Sequence, residues 1–273
     1  MNKVMQQFNI SKPVGSLLPQ IGTMIGKTLD NVEFRNLTHF VNTVSKLTQK
    51  KDGKCGITYA EALKDLQKRV PTITPKKQES IRNLVRSNLH KRGMITQEVY
   101  EEFKYATDGV QIGVDVGRYT AGEPECVITP TKQYINFFYE LFISISYSYG
   151  VTNEEVVKNV AKLLATIEEL ERQHIFIKIT LVFPDRNPAE GRNFFSSIPL
   201  FHHREFKDVG LMSSVLNERL LRKFYFAILE ATYGNNLRKN YGYVEELEGV
   251  MNIGDKFSEI EFFETIQKEV GAT

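Results

Sequence analysis

Seven cations crowd residues 76–92: Lys76, Lys77, Arg82, Arg86, His90, Lys91 and Arg92. Arg82, Arg86 and His90 recur at i, i+4 and i+8, so on a helix they share one face. Cations presented in that way attract phosphate, and each phosphate they neutralise steepens the salt dependence of binding. The same residues also suit a solvated basic face. A second cationic group lies in Tyr233-Gly234-Asn235-Asn236-Leu237-Arg238-Lys239-Asn240-Tyr241. Aromatic rings interleaved with cations can stack the bases of a single strand. Arg238, Lys239 and Tyr241 therefore join Lys76, Lys77, Arg82, Arg86, Lys91 and Arg92 as candidate nucleic-acid-binding residues.

A different chemistry is offered by Asp115-Val116-Gly117-Arg118-Tyr119-Thr120-Ala121-Gly122-Glu123-Pro124-Glu125-Cys126. Glycines and a proline fix turns, and Asp115, Arg118, Glu123 and Glu125 make this one densely charged. With Tyr119, these four are the candidate protein-binding residues, since exposed loops carry recognition. The plainer reading is a structural connection in which Arg118 pairs with a carboxylate and Tyr119 packs beneath it. No Lys-Ser/Thr follows Gly117, so this is not a phosphate loop.

Ser144-x-Ser146-x-Ser148 ends an apolar run just before a long helical stretch, and alternate residues of a strand share a face. A von Willebrand A-type domain carries Asp-x-Ser-x-Ser at this location to hold a divalent cation. Ser144 replaces the aspartate, and neutral hydroxyls are poor ligands for a hard cation, so no metal is expected. His202-His203 are adjacent and would diverge on a strand, which makes them poor chelators. Glu154-Glu155 read as favourable charge at a helix N-terminus and Glu168-Glu169 as a solvated face. No serine or cysteine nucleophile can be matched to a base, and no cofactor motif appears. The expectation is a non-enzymatic binding protein without a cofactor.

Several elements must position these residues. Residues 1–30 mix glycine, proline and scattered apolar residues without a sustained period, which reads as an extended arm. Leu37, Phe40, Val41, Val44 and Leu47 form a helical stripe, and Tyr59, Ala62, Leu63, Leu66 and Val70 form another. Thr74 and Pro75 look like an N-cap and first helical residue, Ile81, Leu84, Val85 and Leu89 like a buried stripe, and Gly93 like a stop. Thr96-Gln97-Glu98 signals a fourth helix. Residues 31–107 thus read as a basic, all-helical region.

From residue 108 to residue 273 the pattern is α/β with C-terminal helices. Tyr134–Ser148 reads as a strand, Asn153–Gln173 as the clearest helix, and Ile175–Val182 as a strand with strict alternation. Pro184–Pro188 reads as a turn, Ser196–Phe206 as a strand, and Leu211–Thr232 as one long helix. A strand, a helix and a strand in that order imply a parallel pair with a helical crossover.

Composition bounds the remainder. The chain has 273 residues, 41% apolar and 25% charged, which excludes wholesale disorder. A net charge of +2 hides a +8 excess in residues 1–110 and a −6 excess in residues 111–273. A basic part joined to an acidic part points to a polyanion on one surface and another partner elsewhere. Two cysteines make neither a disulfide framework nor a four-thiolate zinc site and suit a reducing cytoplasm. Neither a signal peptide nor a membrane span is expected, because Met1–Gln7 lacks an apolar core and the run 134–151 is broken by Glu140 and serines.

The loop Asp115–Cys126, the strand 142–150, the helix ending Leu170-Glu171 and the run Leu220–Glu230 together resemble an uncharacterised family of tailed-bacteriophage proteins. That family shows a similar D-V-G-x-Y-x-x-G-x-P-x-C loop, a strand with spaced serines, and an L-R-R-x-x-F-x-x-x-E helix. The resemblance covers residues 110–235. This chain departs from it with Lys223 at the second basic position and without the glycine-rich helix entry (157–159 here). It implies a viral protein in the host cytoplasm and a degenerate von Willebrand A-like α/β domain, with no known activity. The expectation is a phage-encoded accessory factor. It would bind DNA or RNA, single-stranded if stacking is used, and dock on a protein of phage or host, plausibly a transcription or replication machine, without a membrane. The alternative is a virion assembly protein whose arm reaches a neighbouring subunit.

Overall fold

Ile175, Ile177, Ile179 and Leu181 alternate with less apolar neighbours, and the strand they build lies at the centre of the molecule. The structure is a computed structural model; it describes residues 28–47, 58–68, 73–94, 103–107, 113–130, 137–144, 151–216, 218–236, 247, 249–253 and 257–269. This central strand, β6 (Ile175–Ala189), pairs in parallel with β5 (Phe137–Ser144) and antiparallel with β7 (Arg192–Phe201). Beyond β7 lies β1 (Thr28–Glu33) and beyond β5 lies β8 (Val250–Asn252), both parallel to their neighbours. The sheet order is therefore β1-β7-β6-β5-β8. A separate antiparallel sheet, β2-β4-β3, is built from β2 (Phe103–Ala106), β3 (Gly113–Val114) and β4 (Val127–Pro130).

The crossover from β5 to β6 is α5 (Asn153–Arg172), entered through a capping box between Thr152 and Glu155. Its buried stripe includes Val156, Val160, Leu163, Leu164, Ile167 and Leu170. These meet one face of the sheet together with Phe224, Tyr225, Ile228 and Leu229 of α7 (Glu218–Tyr233). Each such side chain contributes about 1.5–3 kcal/mol when fully buried. A second helical tier, α1 (Leu37–Leu47), α2 (Tyr59–Lys68) and α3 (Pro75–Lys91), covers the first. Phe40 of α1 joins the tiers, with ring centroids 4.9 Å from Phe34, 6.0 Å from Phe224 and 5.1 Å from Tyr225. The remaining helices are α4 (Val116–Thr120), α6 (Val209–Val215) and α8 (Glu259–Glu269).

The mixed α/β class and the β5–α5–β6 crossover agree with the sequence. Four expectations are corrected. Residues 31–107 are not all helical: Thr28–Glu33 joins the main sheet and Phe103–Ala106 the small one. Residues 184–188 do not turn, because β6 runs on to Ala189 against β7 and the reversal comes at Gly191, whose φ of +70° suits glycine. The strand expected at 196–206 spans Arg192–Phe201. The helix expected at 211–232 is two helices, α6 and α7. Apolar packing runs from Val32 to Ile266 in one cluster, so it shows no break at residue 107. Residues 1–27 of the expected arm and the expected helix start at residues 96–98 lie outside the described residues. Among the described residues, no helix is long and apolar enough to cross a membrane.

Candidate functional site

Helix α3 forms where its sequence signals it. Thr74 caps it by accepting a hydrogen bond from the Lys77 amide at 3.3 Å, Pro75 opens it, and Gly93 ends it at a φ of +71°. Ile81, Val85 and Leu89 pack toward α5, while Leu84, expected in the same stripe, lies off it and is 49% exposed. The residues flanking that stripe fall on the seam between the helices, and Arg82 and Arg86 are two of them. Arg82 Nη2 donates to Glu168 Oε1 at 2.6 Å, and this bond above all raises the guanidinium's pKa. Arg86 Nε lies 3.9 Å from Glu169 Oε1, which also accepts from Arg172 at 2.7 Å. Glu169 is buried, so the pair Glu168-Glu169 is a seam and not a solvated face. A third carboxylate, Glu259, accepts from Asn88 at 2.9 Å and from Lys162 at 3.0 Å, tying α3, α5 and α8 together.

The other cations of α3 have no such partners. Lys76, Lys77, His90, Lys91 and Arg92 are exposed, and none has a carboxylate partner among the described residues. They form two groups at the ends of the helix, about 21 Å apart at 1.5 Å per residue. Lys76 and Lys77 stand in the first turn, where the helix dipole disfavours positive charge. Arg238, Lys239 and Tyr241 lie outside the described residues.

The loop after β3 is locked from within. Asp115 caps α4 by accepting from the Arg118 amide at 3.1 Å, and the Tyr105 hydroxyl donates to its other oxygen at 3.1 Å. These bonds hold the Asp115 carboxyl below the usual carboxylate range. The Arg118 guanidinium lies 3.8 Å over the Tyr105 ring, donates to the Glu125 carbonyl at 3.3 Å and stands 3.5 Å from Glu123. A Cβ on Gly117 would come within 3.2 Å of Asp115 Oδ1, so a larger residue there would push against the capping carboxylate. Tyr119 does not pack beneath Arg118; Tyr105 does, and Tyr119 is 68% exposed beside a 69% exposed Val116. Asp115, Arg118 and Glu123 therefore build the loop, while Tyr119 and the exposed Glu125 side chain remain outside it.

Ser144 is buried at the end of β5, and Ser146 and Ser148 lie outside the described residues. Among the described residues, no group of three His, Cys, Asp or Glu could hold a metal ion. His202 and His203 occupy the turn after β7, not a strand.

Two constellations escaped the sequence reading, one polar and one aromatic. One is a buried clamp in which Asp30 accepts from Arg192 Nη1 at 2.9 and 3.2 Å and from the Tyr233 hydroxyl at 2.8 Å. Its partners are 162 and 203 residues away, so no local pattern could signal it. The other is an aromatic pair, Phe138 and Phe176, on the sheet face turned away from α5. The alternation of Phe176 and Lys178 with buried isoleucines was its one sequence signal.

No curated protein and no solved structure matches the chain significantly. A family model does, across residues 23–269, and that span takes in β1, both sheets and α8. With the match covering nearly all of its sequence, the chain belongs to the family described as Domain of unknown function (DUF7192).

Proposed function

We propose that this is a non-enzymatic binding protein, encoded by a phage, that contacts nucleic acid in the host cytoplasm and docks on a transcription or replication machine. The observation that carries the nucleic-acid part is the exposure of Lys76, Lys77, Lys91 and Arg92 without carboxylate partners among the described residues. Arg82 and Arg86 drop out of the interface, because the α5 carboxylates already engage them. Docking falls to the small sheet, where a rigid loop presents Tyr119 and Val116. The non-enzymatic part draws on three of the buried carboxylates, Asp30, Glu169 and Glu259, each held by a cation. The degenerate von Willebrand A-like description of residues 108–273 draws support from the β5–α5–β6 order; the antiparallel β7 inside the sheet sets this chain apart from it.

Fluorescence-anisotropy titration of the protein with single- and double-stranded DNA at two salt concentrations tests the reading. Binding that weakens steeply with salt is expected. No binding to either form at low salt would contradict it. The alternative, virion assembly through the N-terminal arm, is favoured by the position of β1 at the edge of the main sheet, where a further strand can pair. Concentration-dependent oligomers, with the arm protected from protease only in the oligomer, would select it.

A further inference from the structure

Three segments distant in sequence bring aromatic rings and a cation to one end of the main sheet. Phe138 and Phe176 are the second residues of β5 and β6 and are direct register partners. Their rings stack at 5.8 Å with 28° between planes, and Phe138 is 58% exposed. An exposed Phe on a sheet otherwise lined here by Glu140, Lys178 and Thr180 gains only part of what full burial would give it. His203 meets Phe138 edge-on at 5.1 Å and fixes it from the side, its own Nε2 lying 3.2 Å from the Tyr139 carbonyl.

Arg204 completes the group. Its guanidinium carbon lies 4.5 Å over Phe176 and 5.7 Å from Phe138. The turn that holds it is closed by the Glu205 amide donating to the His202 carbonyl at 3.2 Å and the His202 amide donating to Glu205 Oε2 at 2.8 Å. Arg204 sits third in that turn with a φ of +61°, where glycine or asparagine is the relaxed choice. The chain therefore tolerates strain to keep an arginine at this position.

The charges around the rings decide what would be attracted. Glu140 is paired with Lys178 at 2.8 Å, Lys207 with Glu171 at 2.5 Å, and the Glu205 carboxylate is engaged by the His202 amide. Arg204 has no carboxylate partner among the described residues; its guanidinium lies over the rings, while the neighbouring Glu205 carboxylate turns back onto the His202 amide. A guanidinium held over a ring can still direct N–H donors outward, which suits phosphate.

We infer that Phe138, backed by Phe176 and His203, is a stacking platform for an unpaired nucleobase, with Arg204 taking the adjoining phosphate. A duplex cannot use it, because its bases are already stacked; the ligand is single-stranded nucleic acid. The inference rests on the nucleic-acid reading above and says where the bases go. The C-terminal end of the basic helix lies near the same end of the sheet, on its opposite face: Gln173, two residues before β6, donates to the Met94 carbonyl just beyond α3 at 3.1 Å. Lys91 and Arg92 thus stand at the same end of the molecule as the platform.

The test uses the full-length protein, single-stranded oligonucleotides carrying 2-aminopurine, and a duplex of the same sequence. Wild type should change the 2-aminopurine emission on binding. Phe138→Ala, which alters an exposed side chain, should lose that change and about 5- to 150-fold in single-strand affinity, with duplex affinity unchanged. Arg204→Gly, which relaxes the turn and keeps the fold, should weaken single-strand binding several-fold and flatten its salt slope by about 0.7. Wild type that binds single strands while both variants bind them equally well would overturn the platform and leave the nucleic-acid reading standing. Wild type that binds duplex alone would do the same. Wild type that binds neither form at low salt would overturn both.

Discussion

The middle of α3 and its two ends carry the same residue types and have opposite fates. Arg82 and Arg86 face carboxylates of α5 and serve as a seam between helices. Lys76, Lys77, Lys91 and Arg92 face solvent and are left with their charge uncompensated. A cation's role here is set by what the fold brings opposite it, not by its spacing along the helix. The same contrast separates the two faces of the main sheet: cations on the helical side engage carboxylates, while on the platform side Arg204 lies over an aromatic ring.

The largest effect expected of a balanced site is at Asp30. Asp30→Ala strands Arg192 and the buried Tyr233 hydroxyl, so denaturant unfolding should show a loss of about 2–3 kcal/mol with nucleic-acid affinity unchanged. A loss of affinity without a loss of stability would break the comparison. Next comes Glu259, where alanine leaves Asn88 and Lys162 facing a gap and should cost about 2 kcal/mol in the same measurement.

Acid should destabilise the protein through the balanced sites. Burial pushes the Glu259 carboxyl up, but its own backbone amide, Asn88 and Lys162 outweigh that and hold it below its usual value of 4.5. Glu140 follows the same pattern, with burial opposed by Lys178 and Thr180. A carboxylate depressed in the folded state contributes stability above its unfolded pKa and loses it as pH falls through the folded one. Unfolding free energy should therefore decline as pH drops below 4.5, and Glu259→Gln should decline less steeply. Equal steepness in the two proteins would show that Glu259 contributes nothing to the effect.

Much of this was legible in the sequence wherever the signal was local. Thr74, Pro75 and Gly93 bounded α3 correctly, and the apolar period of α5 with the alternation of β6 announced the crossover. What failed was set at a distance. Asp30 makes β1 look polar, and only Arg192 and Tyr233 explain why a strand can bury it there. Pro184 and Pro188 read as a turn, yet pairing with β7 carries the strand through them, at the cost of a register irregularity between Asp185 and Ala189. Arg82 looked like a phosphate ligand because Glu168, its partner, is 86 residues away.

The smallest effect belongs to Tyr119, whose ring the loop does not use. Tyr119→Ala should leave thermal unfolding within about 0.5 kcal/mol of wild type. A larger loss would mean that the ring packs within the chain and is not held outward for a partner.

The salt dependence of DNA binding in two variants tests the central claim most directly. One removes the ends (Lys76→Ala, Lys77→Ala, Lys91→Ala, Arg92→Ala) and the other the seam (Arg82→Ala, Arg86→Ala). The ends variant should lose about 0.7–0.9 of slope for each phosphate contact removed, while the seam variant keeps the wild-type slope and unfolds more easily. A flattened slope in the seam variant, with the ends variant unchanged, would contradict the account.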